Sequence, residues 1–155
     1  MILQAGSDKR GFSLLELMLV LLLLGVSSLI VLPTIDNGLR ERDIRRAALG
    51  LAAVARELRS RAVFEGIPQR LVVNVVDSSY FVARDREVRL PSAVKFSQVD
   101  GGETLESNLR LFIFFPNGSS LGGRIGLSGV SNATKYAVLL EPLSGRVDVI
   151  RGDRL

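Results

Sequence analysis

Phe12 to Leu32 reads FSLLELMLVLLLLGVSSLIVL, an apolar run whose one charge is Glu16. At 1.5 Å per residue a helix of this length extends roughly 30 Å, the thickness of a bilayer core. Lys9, Arg10 and Gly11 stand before it and Pro33 after it, so a single membrane-spanning helix is expected. A carboxylate inside such a helix costs about 2.5–3.5 kcal/mol, which makes Glu16 the anomaly of the segment. One reading places it at interfacial depth, pointing back to water. The other supplies a cation. A cut between Gly11 and Phe12 would leave a new α-amino group one helical turn from Glu16, and in an assembly one subunit's terminal amine would neutralise a neighbour's Glu16. A secretory leader, with Lys9 and Arg10 ahead of an apolar core, is the competing interpretation. Against it stand the acid within the core, the length of the run and the lack of a small-x-small cleavage site before Pro33.

The remainder of the chain limits what else the protein can be. Its 155 residues suit one domain of ordinary size, and 47% hydrophobic content excludes disorder throughout and collagen-like repeats. Cysteine and histidine are both absent, which removes disulfide scaffolds, Cys/His zinc sites, cysteine nucleophiles and every Ser-His-Asp arrangement. A net charge of +4 is compatible with anionic partners without identifying one.

Downstream of Pro33 the pattern turns amphipathic. Ile44, Ala48, Leu51, Ala55, Leu58 and Ala62 recur at alternating spacings of four and three, which sets them on one helical face, widened by Ala47 and Val54. Alanine dominates this stripe, so whatever packs on it comes close. Asp36-Asn37-Gly38 reads as a local breaker. The arginines from Arg40 to Arg61, among them Arg42, Arg45, Arg46, Arg56 and Arg59, fall largely outside the stripe. Acids intersperse with them and no aromatic is interleaved for base stacking, so a solvated helix face is expected rather than a nucleic-acid surface. Gly66-Ile67-Pro68 ends the helix. Thereafter the period becomes two: Leu71–Val76 and Tyr80–Ala83 form a hairpin about Asp77-Ser78-Ser79, followed by strands at Glu87–Leu90, Val94–Gln98, Leu109–Phe115 (the most apolar, expected to be central), Lys135–Leu140 and Arg146–Ile150, the last two joined by a turn at Glu141–Gly145. One helix and then antiparallel strands define an α+β fold, with the stripe covering a sheet face.

Two loops are expected. Asp100 to Asn108 is polar and reads as exposed and mobile. Pro116 to Arg124 is glycine-dense but has no P-loop pattern and no following helix, so it reads as a turn with positive φ at Gly118, Gly122 or Gly123 rather than a phosphate cradle. Ser92-x-x-Lys95 has the spacing of Ser-Lys catalysis but lies in strand-like sequence after Leu90-Pro91, and chance supplies such pairs easily. Arg151-Gly152-Asp153 and the glycosylation-like triplets at Asn117 and Asn132 are read as accidental. No catalytic residue is expected.

Lys9-Arg10-Gly11-Phe12-Ser13-Leu14-Leu15-Glu16-Leu17-Met18-Leu19-Val20 resembles the class III signal of type IV pilins and type II secretion pseudopilins. The resemblance implies cleavage by a prepilin peptidase between Gly11 and Phe12, N-methylation of Phe12, and Glu16 as the assembly glutamate. It also implies a long helix kinked at Pro33. In the second half, Phe114-Phe115-Pro116-Asn117-Gly118, Gly122-Gly123-Arg124 and Leu143-Ser144-Gly145-Arg146-Val147 resemble the C-terminal pattern of the minor pseudopilin H family and its FimT and FimU relatives, with Asn117 standing where that family usually has aspartate. Four regions follow: a prepilin leader (1–11), a transmembrane and assembly helix (12–33), an amphipathic helix (34–66) and an antiparallel β domain (67–155). The resemblance implies a non-enzymatic subunit of the type II secretion pseudopilus, which drives export of folded proteins across the outer membrane. Its partners would be other major and minor pseudopilins, the prepilin peptidase and the inner membrane of a Gram-negative bacterium, not nucleic acid. Basic residues counted on the two flanks would favour the opposite orientation weakly; the family places the leader in the cytoplasm and the globular domain in the periplasm. The calcium-site residues of major pseudopilins do not map onto this chain, so neither metal nor cofactor is expected. A type IV pilus minor pilin of the FimT/FimU kind stays open as the alternative, with DNA binding drawn from Arg146, Arg151 and Arg154.

Overall fold

The computed structural model describes residues 13–82, 86–129 and 135–152, with residues 29–40 described by their backbone alone. One helix, α1 (Leu14–Glu65), precedes strands β1 (Gln69–Asn74), β2 (Ser79–Val82), β3 (Arg86–Arg89), β4 (Val94–Gly101), β5 (Glu103–Glu106), β6 (Leu109–Phe114), β7 (Gly123–Gly129), β8 (Lys135–Leu140) and β9 (Val147–Arg151). The chain falls into two compact units, Met1–Gly38 and Leu39–Leu155. Helical backbone runs through Pro33 and through Asp36-Asn37-Gly38, where the sequence suggested loosening. A mid-helix proline costs about 3 kcal/mol, and the other weak helix formers at most about 1 kcal/mol each. Extending an existing helix is easier than nucleating a second one.

In the second unit the alanine-rich stripe packs as its spacing required. Ile44, Ala48, Leu51, Ala55, Leu58 and Ala62 are all buried, joined by Ala52, and Ala47 and Val54 lean on the same core. Full burial of Leu51 and Leu58 contributes about 1.5–3 kcal/mol each, while the alanines let the sheets approach. The helix ends because Gly66 takes φ +69° and its N–H bonds the Ala62 carbonyl at 3.1 Å, a left-handed cap.

The strands form two antiparallel sheets, one ordered β3-β2-β1-β6-β5 and the other β4-β7-β8-β9. The expected hairpin is present, with Val72 opposite Phe81 and Asn74 opposite Ser79. Asn74 closes its turn, Oδ1 accepting from the N–H groups of Val76 and Asp77 at 3.1 Å each. Both sheets and α1 contribute to a single core, which includes Leu71, Phe112 and Phe114 from the first sheet and Ile125, Leu127 and Val138 from the second. Tyr80 belongs to it as well. Burial pushes its phenol above the ordinary 10.0 despite the opposing Arg86 charge, so its contribution is full below that ordinary value and is lost as pH rises through the raised one.

Three expectations need correction. The strand from Leu109 is interior but not central, since β1 occupies the middle and β6 lies between β1 and β5. Asp100 to Asn108 is exposed, yet it holds the end of β4 and all of β5, which pairs with β6; a strand without apolar alternation is invisible to a periodicity test. Finally, the turn expected over Pro116 to Arg124 runs into a strand at its end: β7, reading GRIGLSG, starts at Gly123 and is the interior partner of both β4 and β8. A Cβ on Gly126 would lie 2.7 Å from Ser97 Oγ, and one on Gly129 3.1 Å from Ile44 Cδ1. The close approach of neighbours selects glycine there. The α+β class itself stands as expected.

Candidate assembly site

The first unit is helical from Leu14 and presents its described apolar side chains to the outside, from Leu14 at 78% exposure to Val26 at 52%. Glu16 sits among them, exposed, in the first helical turn. The Ser13 carbonyl accepts the first intrahelical bond, from Leu17 N–H at 3.1 Å, which makes Ser13 the N-cap residue. Ser13-x-x-Glu16 therefore has the residue types of a capping box, a signal available in the sequence that the apolar reading passed over. A carboxylate in the first turn gains about 0.3–1 kcal/mol from the helix dipole. That is smaller than the roughly 2.5–3.5 kcal/mol cost of an acid in lipid, so capping alone does not settle Glu16 in an apolar setting.

Gly11 and Phe12, the expected processing pair, lie outside the described residues, as do Lys9 and Arg10. Among the described residues no helix is long and apolar enough to cross a membrane. The expected span, 12–32, begins before the described helix and ends where only backbone is described.

The second unit contains a junction that the sequence reading missed. Arg56 donates to the Val147 carbonyl from Nη2 at 2.7 Å and from Nε at 3.2 Å. Arg59 Nε donates to the carbonyls of Ser144 at 2.9 Å and Gly118 at 3.1 Å. These two arginines are thus not simply a solvated face; they fasten α1 to both C-terminal turns. Each carries a charge into hydrogen bonds with neutral carbonyls, worth about 1.5–3 kcal/mol apiece. The segments Phe114–Gly118 and Leu143–Val147, far apart in sequence, meet at Arg59. Gly118, Gly122 and Gly123 have φ of +85°, +72° and +144°, as the turn reading expected. Asn117 Oδ1 accepts from Ser119 N–H at 3.0 Å and from its hydroxyl at 2.7 Å, an acceptor role that an aspartate fills equally well.

The basic tail is largely matched to acids. Arg146 lies 2.8 Å from Asp148 and 3.8 Å from Glu141, and Arg151 pairs with Glu41 of α1 at 2.8 Å; Arg154 is outside the described residues. Ser92 occupies a turn and Lys95 is exposed on β4.

An exposed apolar helical unit thus precedes a unit in which the helix packs on antiparallel sheets. The prokaryotic N-terminal methylation motif matches residues 6–32, spanning Gly11, Phe12 and Glu16. The chain is 29% identical over 121 residues to type II secretion system protein H of Xanthomonas campestris pv. campestris, covering 77% of this chain and 71% of that protein. Its fold is similar to that of the minor pseudopilin EpsH from the type 2 secretion system of Vibrio cholerae, with a TM-score of 0.55 and 10% identity over 70% of this chain and 97% of the other. The chain is thus similar in sequence to a type II secretion system protein H and in fold to a minor pseudopilin.

Proposed function

We propose that this protein is a minor pseudopilin of a type II secretion system, a structural and non-enzymatic subunit of the periplasmic pseudopilus that drives folded proteins across the outer membrane. One observation carries the reading: the methylation motif coincides with an exposed apolar helix bearing Glu16 in its first turn, on a chain similar over most of its length to protein H. Residues 1–11 are a leader, removed between Gly11 and Phe12 by a prepilin peptidase that then methylates Phe12. Residues 12–33 anchor the subunit in the inner membrane by a single pass and pack among the helices of other pseudopilins. The helix over 34–66 and the β domain over 67–155 stand in the periplasm.

Glu16 gives the assembly its register. An acid in apolar surroundings is strongly disfavoured until it meets a cation, so docking that presents a neighbour's methylated amine is selected over other lateral contacts. Glu16→Leu is expected to be cleaved normally, with a mature N-terminus at methylated Phe12 by mass spectrometry, yet to be lost from the sheared fibre fraction and to impair secretion. Wild-type fibre incorporation and secretion by Glu16→Leu would overturn the charge-pairing role; a mature chain starting beyond Leu32 would overturn the pseudopilin reading itself. Gly11→Val is expected to remain uncleaved, because the junction must admit a backbone without a side chain; a processed Gly11→Val protein would contradict the assigned cut.

A further inference from the structure

The first turns of α1 in the second unit carry Arg42, Arg45 and Arg46, all exposed. Spacings of three and four set Arg42 beside both of the others on the helix surface, where like charges repel. The same stretch offers two acids that spacing alone would match to them, Glu41 four residues before Arg45 and Asp43 three before Arg46. The fold diverts the first. Glu41 pairs with Arg151 of β9 at 2.8 Å and lies 3.5 Å from the Tyr136 hydroxyl. Asp43 is half-buried, and among the described residues no ion pair includes Asp43, Arg42, Arg45 or Arg46. Further along the same helix Arg56, Arg59 and Arg61 all have protein acceptors. Lys95 adds an exposed cation at the same end: it follows Val94, which is in register with Gly129, and a Cβ on Gly129 would lie 3.1 Å from Ile44 Cδ1. The nearby acids of the other sheet are engaged or remote. Asp77 accepts from Asn74 Nδ2 at 2.7 Å, Glu87 pairs with Arg89 at 3.4 Å, and Glu106 stands on the edge strand β5.

Size and position specify the anion. Arg42 to Arg46 covers about 6 Å of helix, enough for one or two phosphate groups. Proteins that follow a nucleic-acid backbone neutralise about 6–10. Arg42 lies ten residues after Leu32, the end of the apolar run, which is about 15 Å at helical rise. A headgroup layer takes up about 5–7 Å outside the hydrocarbon. Attraction to anionic lipid extends roughly one Debye length beyond it, about 8–10 Å. Helical side chains also lean toward the N-terminus, here toward the apolar segment. A bilayer that holds residues 12–33 is therefore tethered within range of these arginines, whereas an acidic protein has to be recruited.

We propose that Arg42, Arg45 and Arg46 bind the phosphate headgroups of anionic phospholipids and hold the globular unit on the bilayer surface until the subunit is drawn into a fibre. This deepens the pseudopilin reading and rests on residues 12–33 being a membrane anchor. The test is native mass spectrometry of the full chain from micelles containing phosphatidylglycerol and phosphatidylcholine in equal amounts. Phosphatidylglycerol should be retained about tenfold over phosphatidylcholine. Arg42→Gln, Arg45→Gln and Arg46→Gln together should abolish the preference, the three corresponding Lys changes should keep it, and millimolar inorganic phosphate should leave it unchanged. In cells, Leu49→p-benzoylphenylalanine, one turn beyond Arg45 at a position 46% exposed, should photolyse to a phospholipid adduct. Equal retention of the two lipids, a preference that survives the triple Gln change, displacement by inorganic phosphate, or a protein or nucleic-acid adduct in place of the phospholipid would each overturn the proposal. The two readings fail separately. A chain absent from the membrane fraction removes the anchor, and one recovered there with equal lipid retention removes the arginine site alone.

Discussion

Phe112→Ala should destabilise the globular unit by about 3–5 kcal/mol, the range for truncating a buried aromatic ring. Phe112 is fully buried on β6, opposite Leu71 of β1. One edge of its ring lies against glycine backbone: a Cβ on Gly102 would come within 2.9 Å of Cε1, and one on Gly123 within 2.8 Å. The glycines that make room for the ring have nothing with which to refill its place. The cavity therefore persists instead of collapsing, which puts the cost toward the upper end of the range. Urea unfolding of the full chain, followed by tyrosine fluorescence, should show a midpoint lower by about 1–3 M with an unchanged slope. A shift below a few tenths molar would mean that the ring is not the keystone of this sheet.

Gly145→Val should be nearly as damaging, for a different reason. Gly145 has φ +59°, and a Cβ there would strike the Gly118 carbonyl oxygen and lie 2.9 Å from Arg59 Nε. That nitrogen holds both C-terminal turns through the carbonyls of Ser144 and Gly118. Left-handed strain, about 1–2 kcal/mol, therefore adds to loss of the Arg59 bonds, for a total of about 3–5 kcal/mol. Gly66→Ala separates the two effects. Gly66 has φ +69° but nothing within 4 Å of its added Cβ, so it should cost only the backbone term of about 1–2 kcal/mol. Comparable losses in Gly66→Ala and Gly145→Val, read from the same urea midpoints, would show that the Arg59 junction contributes little.

The elements that the sequence revealed share a physical property: each is set by neighbours along the chain. The stripe from Ile44 to Ala62 follows from helical spacing, the hairpin at Asp77-Ser78-Ser79 from alternation about turn residues, and the helix stop at Gly66 from glycine followed by proline. Glu16 was legible because an acid in an apolar run is conspicuous at any fold. The elements that escaped notice are those whose residues answer to distant partners. β5 has a single apolar residue, Leu105, and exists because β6 offers it an edge. β7 keeps glycines that look like loop residues because Ser97 and Ile44 press against them. Arg56 and Arg59 look like solvent-facing charge until Val147, Ser144 and Gly118 arrive beneath them.

Sequence alone therefore determined the class of the fold, the apolar helix with its single acid, and the residues of the inner helix face, since periodicity and hydropathy are local quantities. Tertiary structure alone decided that the strands divide into two sheets, that two arginines tie the C-terminal turns to the helix, and that Glu41 turns to Arg151 instead of to the arginines beside it on the helix. Those outcomes depend on which carbonyl or side chain meets which across many tens of residues, and no pattern along the chain encodes that meeting before the chain has folded.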